Sequence, residues 1–130
     1  MPDKEKKPTI LCVDDDSNNL ALLEAVLVPR GYETISAESG QVALEKAVAQ
    51  LPDLILLDIM MPDVDGTRVH ECLSQNAKTK GIPLVFLTAL VREEEVAAGR
   101  GKIGGLNYIS KSTPKDKFVK QVKDILASKK

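Results

Sequence analysis

Residues Asp53–Asp58 read DLILLD. Side chains along a strand point alternately to opposite faces. Four consecutive aliphatic residues therefore leave neither face polar. Such a strand is buried on both sides, the usual state of a parallel sheet covered by helices. Pro83–Leu87 (PLVFL), ending at Thr88, has the same character. So does Thr9–Val13 (TILCV), which runs into Asp14, Asp15 and Asp16. Two weaker strand segments are Tyr32–Ala37 (YETISA) and Leu106–Ile109, the latter ending near Ser110 and Lys111.

The stretches between these runs have helical spacing. Asn18–Val28 carries Leu20, Leu23, Val26 and Leu27 on one face, with Ser17 as the expected cap and Pro29 and Gly31 as the stop. Gly40–Leu51 places Val42, Ala43, Ala47 and Val48 together. Gly66–Ala77 follows, with Asp65 as the expected cap. A last helix starts at Thr113, with Pro114 and Asp116 as start signals, and runs to about Ser128. Its stripe is Phe118, Val119, Val122, Ile125 and Leu126. Val91–Gly105 should hold a fourth helix, opened by the acids Glu93–Glu95. Gly99, Gly101, Gly104 and Gly105 make it the weakest, since glycine costs a helix about 1 kcal/mol relative to alanine.

Five strands alternating with five helices predict right-handed βαβ units and a doubly wound α/β sheet. The 130 residues suit one core, expected over residues 9–128 after a disordered lead of residues 1–8. A net charge of −1 argues against a direct nucleic-acid or anionic-membrane partner. No apolar run is long enough to span a bilayer, and the Lys-rich start lacks a signal peptide's apolar core. Cys12 and Cys72 form no zinc or disulfide pattern and are expected to be reduced packing residues of a cytoplasmic protein.

Parallel α/β sheets place their sites at the carboxyl ends of the strands. There the sequence puts Asp14, Asp15 and Asp16, then Asp58, Thr88 and Lys111. Converging carboxylates repel unless a cation joins them, and hard oxygen donors suit Mg²⁺. Lys111 adds a fixed positive charge and Thr88 a hydroxyl. Together they suit a transferring phosphoryl group, with a carboxylate as nucleophile. Each residue alone has a plainer reading: acids at strand ends cap helices, and exposed lysines are solvated. Their combination on four strand ends is the specific signal.

ILCVDDD (Ile10–Asp16), LILLDIMMPDVDG (Leu54–Gly66), VFLTA (Val85–Ala89) and NYISK (Asn107–Lys111) resemble the receiver domain of two-component response regulators. The resemblance runs from about Thr9 to Ser128. It implies a flavodoxin-like fold of strand order 2-1-3-4-5. It also implies that Asp58 is the phosphoacceptor, and that Asp15, Asp58 and the Met60 backbone carbonyl hold Mg²⁺, with Asp14 acting through water. Thr88 and Lys111 bind the phosphoryl group by the same likeness, and Thr88 and Tyr108 form the switch. The signalling surface is then the fourth helix, fifth strand and fifth helix. The implied partners are a sensor histidine kinase or histidine phosphotransfer protein and a downstream output domain or protein. Such a domain transfers phosphate only onto itself, a switch rather than an enzyme.

Three departures from the family pattern fall near that surface. Ser112 follows Lys111 where proline is usual, Thr67 follows Asp65–Gly66, and the segment before Leu106 is glycine-rich. A cis Lys111–Ser112 bond would cost about 2.5–4 kcal/mol without proline. Met60 and Leu90 are apolar and cannot orient a hydrolytic water, which predicts a slowly lost phosphate. One alternative is a degenerate receiver acting as an interaction module independent of phosphorylation. Another is an aspartate-nucleophile phosphatase, which would want an acid where Met60 stands. A flavin protein would need a phosphate-cradling loop after the first strand, and none is present.

Overall fold

The computed structural model describes residues 7–58, 66–88, 102–103, 106–110 and 114–128. Strand β1 (Thr9–Val13) is followed by α1 (Ser17–Leu27), a 3-10 turn (Val28–Arg30), β2 (Glu33–Ala37) and α2 (Gly40–Gln50). Then come β3 (Leu54–Asp58), α3 (Gly66–Gln75) and β4 (Leu84–Thr88). A short β5 (Lys102–Ile103), β6 (Leu106–Ser110) and a C-terminal helix (Lys115–Ser128) complete the order.

The strands form one sheet of order β2-β1-β3-β4-β6-β5. The pairs from β2 through β6 are all parallel. The expected fifth strand is β6, so the parallel part has the expected 2-1-3-4-5 arrangement. The fold is a flavodoxin-like α/β sheet.

Alternation along each strand sorts side chains to two faces. Ile10, Cys12, Leu54, Leu56, Val85, Leu87 and Ile109 pack with Leu20 and Leu27 of α1 and with Phe118 and Val122 of the C-terminal helix. Leu11, Val13, Ile55, Leu57 and Phe86 pack on the other side with Ala43 and Ala47 of α2 and Val69 and Leu73 of α3. Every residue of β3 is buried, as its sequence predicts. The stripe of the C-terminal helix also meets the core as expected, with Val119, Ile125 and Leu126 at its margin.

The ends of α1 follow from local chemistry. Gly31 closes the 3-10 turn at φ 96°, a conformation glycine adopts without a Cβ penalty. The cap at the start is Asp16, not Ser17: its carboxylate accepts from the Asn18 N–H. Val48 is the misplaced member of the α2 stripe. It is exposed, while Val42 and Leu44 flank the buried alanines.

The expected fourth helix lies mostly outside the described residues, and among those described there are four α-helices. At its end the expectation is corrected, because Lys102–Ile103 is a strand paired antiparallel with β6. Ile103 faces Leu106 in that pairing. Cys72 is exposed rather than packed, while Cys12 is buried, and both thiols are free. The Pro8 carbonyl accepts from Glu33 N–H at 2.9 Å, tying the chain to β2 just before β1 begins.

Candidate functional site

The site grows from the carboxyl edge of the sheet. Asp14 directly follows β1, and its N–H donates to the Ala37 carbonyl at 3.1 Å, extending the β1–β2 ladder by one bond. That bond fixes the backbone where the strand ends. Asp14 is 1% exposed and Asp58, the last residue of β3, is 4% exposed. Asp15 is exposed to solvent.

A carboxylate oxygen from each of Asp14, Asp15 and Asp58 lies within 4.8 Å of the others. The sequence brings these three together as expected, because β1 and β3 are neighbours in register, with Val13 beside Leu57. Asp16 stands apart from this group. Its N–H donates to Asp14 Oδ1 at 2.9 Å, and its own carboxylate accepts from Asn18 N–H at 2.8 Å. This capping role was hidden in the run of three acids. Its signal in the sequence was an N-cap residue type directly before a helical repeat.

The donor set is chemically suited to a small divalent cation. Ligands on one octahedral Mg²⁺ stand about 3–4 Å apart, given bonds of 2.0–2.1 Å. The three carboxylates, within 4.8 Å of one another, are close enough to share one ion directly or through water. A cation there would offset the repulsion of three acids, two of them buried.

Thr88 is the last residue of β4, in register with Ser110 at the end of β6. Tyr108 stands in β6 opposite Phe86. Asp58 pairs in register with Leu87, so the ends of β3, β4 and β6 lie along the same edge. Met60 and Lys111 lie outside the described residues, as does the Lys111–Ser112 bond. His70 falls within α3. No helix among the described residues is long and apolar enough to cross a membrane.

Residues 10–123 match the model of the response regulator receiver domain. Among curated proteins, the chain is 42% identical over 118 residues to the response regulator PleD of Caulobacter vibrioides. That match covers 90% of this chain and 24% of PleD, so the chain spans about a quarter of that relative's length. It is 34% identical over 121 residues to the polar-differentiation response regulator DivK of Brucella ovis, covering 91% of this chain and 95% of DivK. Its fold is similar to that of a protein assigned as a response regulator in Chloroflexus aurantiacus. That likeness has a TM-score of 0.79 and 36% identity, and covers 94% of this chain and 99% of that one. The chain belongs to the response regulator receiver domain family.

Proposed function

We propose that Asp58 accepts a phosphoryl group from the phosphohistidine of a sensor histidine kinase or histidine phosphotransfer protein, in a Mg²⁺-dependent reaction. The carrying observation is the compact group of Asp14, Asp15 and Asp58 at the end of a fully buried strand. Asp15, Asp58 and the Met60 carbonyl would hold the ion, with Asp14 acting through water. When bound, Mg²⁺ neutralises charge on the transferring oxygens.

The chain's own residues supply the rest. An Asp58 carboxylate oxygen attacks phosphorus and an O–P bond forms. The P–N bond to the donor imidazole breaks, and its electron pair leaves on the ring nitrogen, which is protonated. The product is an acyl phosphate. Thr88 donates its hydroxyl to one phosphoryl oxygen and Lys111 pairs with another.

Contact of Thr88 with the phosphoryl group is coupled to Tyr108. Their strands are adjacent and parallel, which supports a short path between them. The surface built by the fourth helix, β6 and the C-terminal helix then signals to an output domain or protein. The unit that does this is residues 9–128, in the cytoplasm, and it turns over only itself.

Acetyl phosphate with the purified chain tests the reading. With Mg²⁺, intact mass should rise by one phosphoryl group, and EDTA should abolish the gain. Equal gain in EDTA would contradict metal dependence. Multiple turnovers of phosphoesters would instead identify an aspartate-nucleophile phosphatase.

A further inference from the structure

We propose that Asp16 is a positioning residue that holds the carboxylate of Asp14 in the orientation the acidic site requires. This deepens, and rests on, the reading of that site as a cation-dependent phosphoacceptor.

Residue 16 joins two structures at one peptide. Its N–H donates to Asp14 Oδ1 at 2.9 Å. Its carboxylate accepts from Asn18 N–H at 2.8 Å, and its carbonyl accepts from Asn19 N–H at 3.0 Å and Leu20 N–H at 3.2 Å. The backbone is extended there, at φ −105° and ψ 112°. Helix α1 is in turn seated on the core by the buried Leu20 and Leu27.

These bonds form a chain of constraint. The core holds α1, α1 holds residue 16 through the cap, and residue 16 aims its N–H at Asp14. The bond to Ala37 fixes the Asp14 backbone, and the Asp16 N–H acts on the carboxylate's rotation. Removing the Asp16 side chain leaves an N–H at position 16 but loosens the peptide that carries it.

The effect is geometric rather than coulombic. Asp16 is exposed and stands outside the group formed by Asp14, Asp15 and Asp58, so solvent and salt screen its charge. Asparagine caps helices as well as aspartate does, without the charge. Asp16→Asn and Asp16→Ala therefore separate the two explanations.

The test uses the full chain, ¹⁵N-labelled, with two readouts. The first is the metal-free amide protection factor at position 16, with the β3 amides as an internal reference for global stability. The second is Mg²⁺ affinity by calorimetry. Asp16→Ala should lose roughly fivefold in protection at position 16 and roughly fivefold in Mg²⁺ affinity, the factor of a typical N-cap. Its β3 amides should keep their wild-type protection. Asp16→Asn should stay within about twofold of wild type in both readouts.

Unchanged protection at position 16 or unchanged Mg²⁺ affinity in Asp16→Ala would overturn the proposal. So would an equal loss in Asp16→Asn, or a matching loss across the β3 amides. Were the wild-type chain to bind no Mg²⁺, the phosphoacceptor reading would fall, and the metal-free protection factors alone would decide the role of Asp16.

Discussion

Asp53 stands just before β3 and Asp58 ends it. The same residue type therefore brackets one buried strand. Asp53 is half-buried at the amino edge of the sheet, where its Oδ2 accepts from Thr9 N–H at 2.8 Å and its N–H donates to the Thr9 carbonyl at 2.7 Å. That reciprocal pair fastens the start of β1 to the start of β3. Asp58 is buried at the carboxyl edge, beside Asp14 and Asp15. At one end the carboxylate meets a backbone donor and serves the fold. At the other it stands among further acids, an arrangement that suits a cation. Parallel sheets make their two edges chemically different, and this strand displays both outcomes.

The comparison depends on the strand between the two acids being a rigid frame. Leu56→Ala, at a side chain with no exposure, should destabilise the chain by about 2–5 kcal/mol in urea unfolding. A loss below about 1 kcal/mol would break the comparison, because the frame could then relax around the gap.

Asp53→Ala tests the amino edge. It removes the side-chain acceptor of the Thr9 N–H and should cost about 1–2 kcal/mol of stability. Phosphorylation yield from acetyl phosphate in the folded protein should stay at the wild-type level. A large fall in yield at unchanged stability would mean that the two edges are functionally coupled.

Cys12 sharpens the comparison from the neighbouring strand, since it lies in register with Leu56. Burial, with a smaller contribution from Glu24, pushes its thiol from 9.0 up to about 12. The unfolded thiol releases its proton from about pH 9 while the folded one keeps it, so the unfolded state binds fewer protons. Stability should therefore fall as pH rises from about 9 towards about 12, by at most about 1.4 kcal/mol per pH unit from this group. Cys12→Ala should lack that component in pH-dependent unfolding. An identical high-pH slope in the variant would contradict the assignment to Cys12.

The smallest effect is expected at the surface. Arg30 and Asp116 form an ion pair at 3.0 Å, but their side chains are 37% and 95% exposed. Arg30→Ala should change unfolding stability by less than about 0.5 kcal/mol, and high salt should erase the difference.

The strands were legible because a run such as LILL has only one stable environment, burial on both faces. The site acids were legible because chain order puts them at strand ends, and a parallel sheet aligns those ends. Other features turned on tertiary detail. Ser17 and Asp16 are both good N-caps, and the choice depends on which peptide reaches Asp14. Val48 has the right hydrophobicity for the α2 stripe, but α2 sits on Ala43 and Ala47 and leaves Val48 outside. The glycines of Val91–Gly105 counted against a helix without announcing the strand that pairs Ile103 with Leu106. The positions of Met60 and Lys111 rest on the sequence and on family resemblance.

Asp58 as phosphate carrier is the central claim. The most direct measurement is intact mass of the wild-type chain and of Asp58→Ala after exposure to acetyl phosphate and Mg²⁺, with folding of both verified by circular dichroism. The account predicts one added phosphoryl group on the wild type and none on the folded variant. Equal addition to both chains, or none to the wild type with any small phosphodonor, would contradict it.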